Sequence, residues 1–598
     1  MNVPRSEHPR PDFERKNCLN LNGEWQFEID YGKSGFEKGW YSGKDFSRSI
    51  IVPFPPESSL SGIGERDFME SVWYRRFFKV PKDWLDKRIL LHFGAVDYEA
   101  TVWVNGHKVG SHKGGYTPFT FDITRFVKPE DNELTVWAID ECRSGLQPTG
   151  KQSHRLKSYS CLYTRVTGIW QTVWLESVPQ QYIKYFQLLT DPYSGRVSLK
   201  VHIDNVKDRY ILSAYAQEGG KIVAEAEVAS SSQTNHICIN IPDSHPWSPE
   251  DPHLYMLILK LYSQDRFIDE VRSYFGLREV RKLKNKILIN GKARFLRFVL
   301  DQGYYPDCIY TAPSDEALRR DIELSKDMGF NGARLHQKVF EPRFLYWADK
   351  LGYLVAGEFP DWGIDLTNAL AREALLDEWI EVVRRDINHP CIIIWTPFNE
   401  RIIRISDEAC ANFIRRVIRL TKTLDPSRLI IDCSGWTHVD EEIDIYDVHD
   451  YEQKPEIFKS HYTGLTEIYK HADANPVPLD FRPPIEADFM RNAPYHGQPF
   501  IVSEYGGVWW NPPGMEVEGS WGYGERPKNV EDLIARYKSL TETLLFNNAI
   551  SGFCYTQLYD IEQETNGLYT YDRKPKVNPR VIRRINRQKA AIEEEKDY

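Results

Sequence analysis

Residues 391–400 read Cys-Ile-Ile-Ile-Trp-Thr-Pro-Phe-Asn-Glu, an apolar, β-branched run that ends in the carboxylate of Glu400. A second run, Pro499-Phe-Ile-Val-Ser, leads directly into Glu504. A carboxylate that follows such a run lies at the carboxyl end of a buried strand, and in a (β/α) barrel that end is the catalytic face. The two runs therefore predict a barrel with two glutamates at its mouth, which are the groups needed to cleave a glycosidic bond.

The sequence around these runs alternates helix patterns with strand patterns. Residues 314–329 begin with a capping serine, continue as an amphipathic helix and end in glycine. Further helix patterns alternate with short apolar runs, which include 353–358, 391–395 and 429–432. This alternation is typical of a parallel sheet, and it predicts a (β/α)8 TIM barrel at residues 277–598.

The first half of the chain is predicted to contain only β-strands. Short alternating runs such as Trp73-Tyr-Arg-Arg-Phe-Phe-Lys-Val are separated by turn residues, among them the hairpin signal Asn105-Gly106. They predict an antiparallel β-sandwich at residues 1–180. The same pattern continues at residues 181–276, a length that suits an immunoglobulin-like sandwich.

Composition argues against several classes of protein. The 598-residue chain has a formal net charge of −10, which argues against nucleic-acid binding. Its nine cysteines show no CxxC or other metal-ligand spacing, so we predict reduced thiols, no metal site and a cytoplasmic location. The amino terminus lacks an apolar signal core and no run reaches membrane-spanning length, so no membrane association is expected.

Several segments resemble glycoside hydrolase family 2, the β-galactosidase and β-glucuronidase family, and the likeness covers nearly the whole chain. Leu21-Asn-Gly-Glu-Trp-Gln-Phe and Val104-Asn-Gly-His-Lys-Val-Gly resemble its N-terminal jelly-roll domain of sugar-binding type, and Gly168-Ile-Trp-Gln-Thr-Val-Trp-Leu-Glu resembles the end of that domain. Trp395-Thr-Pro-Phe-Asn-Glu is similar to the acid/base signature, and Ile501-Val-Ser-Glu-Tyr-Gly is similar to the nucleophile signature. The resemblance implies a retaining reaction without cofactors, with Glu400 as acid/base and Glu504 as nucleophile.

The resemblance also implies a set of substrate-binding residues at the barrel mouth. Asn399, beside the acid, would hydrogen-bond a sugar hydroxyl. Arg334 and His336 match the family's Arg-x-His, which lies near the nucleophile and the sugar, and Tyr451 matches the tyrosine that hydrogen-bonds the nucleophile. Tyr555 takes a position where the family often has a tryptophan under the sugar ring. Further candidates near strand ends are His449, Glu358 and Asp301.

Two departures from the family leave the sugar open. The family's aspartate in the N-terminal domain is replaced by Leu162, and Arg165 follows three residues later. β-Glucuronidases hold the substrate carboxylate with an Asn-x-Lys, whose aligned positions here are 564–566 and begin with Glu564. An acidic side chain there would repel a uronate, whereas Arg165 or Lys338 would suit one through charge-assisted hydrogen bonds.

We therefore predict an exo-acting, retaining β-glycosidase that acts on a terminal galacto-configured sugar, either a galactoside or a galacturonide. A β-glucuronidase is the first alternative, followed by a β-mannosidase or an arabinopyranosidase. A non-catalytic carbohydrate-binding protein of the same fold is disfavoured because Glu400, Glu504, Asn399 and Tyr451 are all present. The family resemblance further implies a homo-oligomer, either a dimer or a tetramer.

Overall fold

The computed structural model describes residues 3–264, 266–440, 443–465 and 491–593. Its first β-sandwich packs a six-stranded sheet against a four-stranded sheet. In spatial order the strands of the larger sheet are Arg48–Val52, Gly23–Ile29, Ser71–Lys79, Asp131–Ile139, Glu99–Val104 and His107–Lys113. Those of the smaller sheet are Cys18–Asn20, Val173–Val178, Arg88–Phe93 and Phe119–Asp122. Asn105 and Gly106 form the predicted hairpin turn, with φ angles of 52° and 78°. Positive φ angles at both central positions are the requirement of a type I′ turn.

The second β-sandwich is smaller and has two antiparallel sheets. Its sheets contain the strands Tyr182–Asp191, Arg196–Asp204 and Thr234–Asn240, and the strands Lys221–Ser230, Tyr210–Glu218, Tyr255–Ser263 and Arg266–Phe275. Along Arg196–Asp204 every second side chain is buried between the sheets, including Val197, Leu199 and Val201. This period of two is the pattern from which a sandwich was predicted. A short antiparallel sheet, Val280–Leu283, Lys286–Ile289 and Lys292–Arg294, precedes the barrel.

The last part of the chain is a barrel of eight parallel strands, with strand one beside strand eight. In chain order they are Leu296–Asp301, Gly332–Leu335, Leu354–Glu358, Ile392–Thr396, Leu429–Ile430, Tyr446–Asp450, Phe500–Gly506 and Ile550–Thr556. No ladder joins the described parts of strands five and six, and the Ser434 hydroxyl bridges this gap to Asp447 Oδ2 at 2.5 Å. Two sandwiches followed by a TIM barrel confirm the predicted fold class.

Helices follow most of the barrel strands. The described helices are Asp315–Asp327, Pro342–Leu351, Ala369–Asp386, Glu408–Leu424, Pro455–His461, Val530–Leu545 and Pro579–Asn586. The first begins as predicted, because the Ser314 hydroxyl accepts a hydrogen bond from the Ala317 amide. None of the described helices is long and apolar enough to cross a membrane. All nine cysteines are unpaired.

Buried carboxyl groups lie where the first sandwich meets the barrel. Glu57 and Asp97 belong to the sandwich, and Glu378 projects from the helix Ala369–Asp386 to accept the Tyr116 amide at 2.8 Å. Each of these three carboxyls has one buried oxygen without a hydrogen-bond partner among the described residues. Burial raises the pKa of Glu57 and the pKa of Glu378 to about 8, so both groups are protonated in the folded protein at neutral pH.

We expect the free energy of unfolding to fall as the pH rises from about 4.5 to about 8. In that range the folded state keeps protons on Glu57 and Glu378 that the unfolded chain releases, so stability is lost with rising pH. The loss should be on the order of a few kcal/mol, and urea denaturation at a series of pH values measures it.

The variant Glu378→Gln should reduce this pH dependence, because the amide keeps an acceptor for the Tyr116 amide but has no proton to release. Glu381→Gln is the matched control on the same helix. Hydrogen bonds from His112 and Thr117 lower the pKa of Glu381 despite its partial burial, so its removal should not flatten the profile. A stability that stays constant or increases between pH 5 and pH 8 would contradict the assignment.

Candidate active site

The carboxyl ends of the barrel strands bring the two predicted glutamates together. Glu504 lies in the seventh strand, and Glu400 follows the end of the fourth strand by four residues. A carboxylate oxygen of Glu400, a ring nitrogen of His449 and a carboxylate oxygen of Glu504 lie within 4.8 Å of one another. So close an approach of two oxygens fits the roughly 5–5.5 Å between the carboxyl groups of retaining glycosidases better than the roughly 6.5–9.5 Å of inverting ones.

Glu504 is held by one charged donor and one neutral donor. Arg334 Nη1 donates to Oε1 at 3.0 Å, and the Tyr451 hydroxyl donates to Oε2. Tyr451 is fixed in turn, because its ring stacks on Tyr523 with centroids 3.5 Å apart and its hydroxyl lies 3.1 Å from Thr556 Oγ1. The carboxylate is therefore oriented before any substrate arrives, a property expected of an attacking group.

Glu400 forms a tight pair with His449. The distance between Glu400 Oε1 and His449 Nδ1 is 2.6 Å, and His449 Nε2 lies 3.5 Å from Glu504 Oε1. Burial alone would raise the pKa of Glu400, but the hydrogen bond and the charge of His449 keep it below its usual value. Burial opposes protonation of His449, yet the charge of Glu504 and the bond to Glu400 raise its pKa. Both pKa shifts favour the pair in which His449 is protonated and Glu400 is ionised.

Arg334 connects the residues of this cluster. Its guanidinium donates to Glu358 Oε2 at 2.5 Å and to Asn399 Oδ1 at 2.6 Å, in addition to Glu504. His336 Nδ1 lies 3.0 Å from Glu358 Oε1, and burial together with the charge of Lys151 lowers the pKa of His336, which leaves the ring neutral. Five predicted residues therefore form one network, with Glu358 as the counter-ion of Arg334.

Asn399 has an unused donor in this network. Its Oδ1 accepts from Arg334, while its buried Nδ2 has no hydrogen-bond partner among the residues that the structure describes. A buried amide donor without an acceptor lowers the stability of the folded protein unless a ligand accepts its hydrogen bond. The donor is available for the sugar-hydroxyl contact of Asn399, which stays a prediction.

Tyr555 and Asp301 do not join the cluster. The ring of Tyr555 packs outside the barrel against Tyr505 and Tyr537, with centroids 5.5 and 4.9 Å away. Its position under a sugar ring is therefore not supported. Asp301 accepts the Tyr559 hydroxyl at 2.5 Å and the Gly303 amide at 3.0 Å, and it makes no described contact with either catalytic candidate.

Arg165 and Lys338 are buried cations rather than cations open to a ligand. Arg165 donates to the backbone carbonyls of Arg155, at 2.9 Å, and of Arg66. Lys338 Nζ donates to the carbonyls of Gly303 and Tyr310 at 2.5 and 2.8 Å, and burial lowers its pKa to about 7. The expectation that either residue binds a substrate carboxylate is not supported by these contacts.

The structure adds residues that the sequence did not single out. Lys151, from the first sandwich, lies over the Trp362 ring at 3.8 Å, and Trp362 Nε1 donates to the backbone carbonyl of Asn399 at 3.1 Å. Gln302 donates to the Tyr163 hydroxyl at 3.0 Å and to Gln557 Oε1 at 2.6 Å. No motif marks any of these residues. Lys151 and Tyr163 are especially hard to predict because their segment is far from the barrel in sequence.

Glu564 belongs to the same polar network. Its Oε2 accepts the Tyr163 hydroxyl, and its Oε1 accepts Asn566 Nδ2 at 2.9 Å. Burial raises the pKa of Glu564, and the charge of Lys151 opposes this rise. Both oxygens are therefore engaged by donors of the protein itself, which weakens the repulsion of a uronate that the sequence predicted.

Two groups of side chains in the described ranges could each offer three ligand atoms to a cation. They are Glu400, His449 and Glu504 at the barrel mouth, and Glu218, His245 and His253 on the second sandwich. In the first group both carboxylates already accept hydrogen bonds from protein donors, and the second group is largely exposed.

Paired buried carboxylates at the mouth of a TIM barrel define the protein as a glycoside hydrolase. Comparison with known proteins agrees with this class. The family models described as the sugar binding domain and the TIM barrel domain of glycosyl hydrolases family 2 match residues 63–175 and 279–588, and a model described as glycosyl hydrolases family 2 matches residues 181–278. The chain belongs to glycosyl hydrolase family 2.

Curated relatives include enzymes named for two different sugars. A β-glucuronidase of Paenibacillus borealis is 26% identical over 96% of this chain and 97% of its own length. A mouse β-glucuronidase is 26% identical over 83% of this chain and 80% of its own. A β-galactosidase of Thermoanaerobacter pseudethanolicus is 27% identical over 69% of this chain and 55% of its own.

Solved structures share the fold over nearly the whole length. A Lactobacillus rhamnosus β-glucuronidase superposes with a TM-score of 0.79 at 22% identity and covers 97% of this chain and 98% of its own. A Ruminococcus gnavus β-glucuronidase in complex with D-glucuronic acid gives a TM-score of 0.76 at 21% identity over 98% of this chain and 100% of its own.

Proposed function

We propose that the protein is an exo-acting, retaining β-glycosidase that hydrolyses terminal β-D-glucuronides by double displacement. The arrangement of Glu400 and Glu504 within 4.8 Å, with Tyr451 and Arg334 on the second carboxylate, carries the reaction class. The glucuronide preference is supported by the relatives, of which the β-glucuronidases match over the greater share of both chains. This preference replaces the galacto preference drawn from sequence likeness.

In the first step of the proposed mechanism, a carboxylate oxygen of Glu504 forms a bond to the anomeric carbon while the bond to the leaving oxygen breaks. Glu400 delivers the proton that this oxygen needs. Because the Glu400–His449 pair holds one proton across a 2.6 Å contact, we propose that it moves from His449 Nδ1 to Glu400 as the leaving oxygen gains charge.

In the second step, a water molecule attacks the anomeric carbon and the bond to Glu504 breaks. Glu400 takes a proton from this water, so the Glu400–His449 pair regains the proton spent in the first step. Arg334 stabilises the carboxylate of Glu504 as it is released, because the two lie 3.0 Å apart. The net result is hydrolysis with retained anomeric configuration.

A second candidate is a β-galactosidase, favoured by the match to the Thermoanaerobacter β-galactosidase. Kinetics on four nitrophenyl substrates, the β-D-glucuronide, β-D-glucoside, β-D-galacturonide and β-D-galactoside, distinguish the candidates. We expect the highest kcat/KM for the glucuronide. A higher value for the galactoside would overturn the sugar preference, and hydrolysis of no glycoside in an extended panel would overturn the enzyme assignment.

A further inference from the structure

One cation of the first sandwich, Lys151, lies at the mouth of the barrel. The Gly150 amide donates to the Trp362 carbonyl at 3.2 Å, and the Tyr163 amide donates to the Lys151 carbonyl at 2.7 Å. These bonds fix the backbone of Lys151 between a barrel loop and the strand-like segment that carries Tyr163. Its Nζ then lies 3.8 Å from the centre of the Trp362 ring, which is itself anchored to Asn399 next to Glu400.

Lys151 is buried without a direct counter-ion. Lys151 is 7% exposed. Its Nζ forms no hydrogen bond and no ion pair within 4.0 Å with any described residue. Burial would lower the pKa of Lys151, but Cys161, Glu400, Glu504 and Glu564 nearby raise it, so the side chain stays charged. An ammonium group with three donors gains from an anionic partner in such a largely buried position, and the ring supplies only part of that stabilisation.

The other cations near the site each donate hydrogen bonds to acceptors of the protein. Arg334 is shared among Glu358, Glu504 and Asn399, while Lys338 and Arg165 donate to backbone carbonyls. Lys151 differs from these three cations because its side chain donates no hydrogen bond to any acceptor among the described residues. The missing partner has to be an anion or an oxygen that enters the pocket from outside.

The polar network beside Lys151 favours an acidic glycone over a neutral one. The two oxygens of Glu564 accept hydrogen bonds from Tyr163 and Asn566, so this carboxyl does not serve as the partner of the Lys151 ammonium. No bond within 4.0 Å joins Glu564 and Lys151 in the described chain, although each shifts the pKa of the other. An incoming carboxylate would give the ammonium its first direct partner.

We propose that Lys151 recognises the carboxylate of a hexuronic acid at the glycone position, in place of the Asn-x-Lys that this chain lacks. The inference rests on the proposed glycosidase function and deepens it, because it assigns the specificity for an acidic sugar to a residue of the first sandwich. A charge-assisted hydrogen bond in a pocket of low dielectric gives a strong preference for the acid over its neutral counterpart.

The test compares uronides with their neutral counterparts in the variant Lys151→Met, which keeps the length of the side chain and removes its charge. The ratio of kcat/KM for nitrophenyl β-D-glucuronide to that for nitrophenyl β-D-glucoside should fall about 100-fold, mainly through KM. The same change is expected for the galacturonide and galactoside pair. Lys151→Arg should keep most of the ratio because it keeps the charge.

Lys157→Met is the matched control, because Lys157 is an exposed cation of the same segment and its side chain makes no described contact with the site. Binding of D-glucaro 1,5-lactone and of the neutral D-glucono 1,5-lactone, measured by calorimetry, gives a readout independent of turnover. Lys151→Met should weaken the acidic lactone about 100-fold more than the neutral one. The melting temperature reports whether the variant is folded.

The possible outcomes separate this inference from the proposed function. An unchanged ratio in a folded Lys151→Met, or a wild-type protein that prefers the neutral member of each pair, overturns the role of Lys151 and leaves the glycosidase intact. Wild-type protein that cleaves neither member of any pair overturns the proposed function itself. A selective loss of uronide cleavage and of acidic lactone binding supports both.

Discussion

Replacement of Glu504 by alanine is expected to reduce turnover by roughly a factor of 10⁵, because the variant lacks the group that forms the covalent intermediate. Sodium azide should restore part of the turnover, since a small anion can occupy the space left by the carboxylate and attack the same carbon. The product should be a glycosyl azide of inverted configuration. Rates with and without azide, and the configuration of the azide product, are the measurements.

The surroundings of Glu504 explain why the loss should be so large. Arg334 and Tyr451 each bind one of its oxygens, and they would remain in place to stabilise an incoming anion. Glu518→Ala is a suitable control, because Glu518 is an exposed acid on the loop that follows the same strand. A Glu504→Ala variant that turns over within tenfold of the wild type would contradict the nucleophile assignment.

The variant Glu400→Gln should show a loss that depends on the leaving group. The kcat/KM for a phenyl glycoside should fall about 10³-fold, because its poor leaving group needs a proton as the bond breaks. The value for a dinitrophenyl glycoside should fall less than about tenfold, since that leaving group departs as an anion. The two substrates, assayed in parallel, provide the internal control.

The pairing of Glu400 with His449 adds a second element to this prediction. In the wild type Glu400 Oε1 lies 2.6 Å from His449 Nδ1, so glutamine at position 400 removes the group that would pass the proton on in the proposed mechanism. Activated glycosides should therefore show a burst followed by slow turnover, because water attack also lacks its general base. Equal losses for the phenyl and the dinitrophenyl glycosides would contradict the role of Glu400.

Local patterns in the sequence predict most of the barrel and the centre of the site. A strand that ends in a carboxylate has to present it at the carboxyl edge, and the structure brings Glu400, Glu504 and Glu358 near one another at that edge. The Arg-x-His and Tyr451 positions follow from the same rule. These residues are predictable because each lies within a few positions of a strand that its own segment defines.

Side-chain direction and burial were harder to predict. In the strand Ile550–Thr556 successive side chains point to opposite sides, so Thr556 reaches Tyr451 while Tyr555 faces the helices. Arg165 and Lys338 donate hydrogen bonds to backbone carbonyls, and the sequence does not reveal these contacts. Lys151 was missed because its proximity to Glu400 depends on how the first sandwich packs on the barrel, and no local pattern encodes that packing.

The most direct test of the account is the configuration of the first sugar released by the wild-type protein. Proton NMR during hydrolysis of the preferred nitrophenyl β-glycoside resolves the two anomers before they equilibrate in water. Glu400 and Glu504 at their observed separation predict that the β-anomer appears first and the α-anomer follows by mutarotation. Initial release of the α-anomer would show direct displacement by water and would contradict the assignment of Glu504 as a covalent nucleophile.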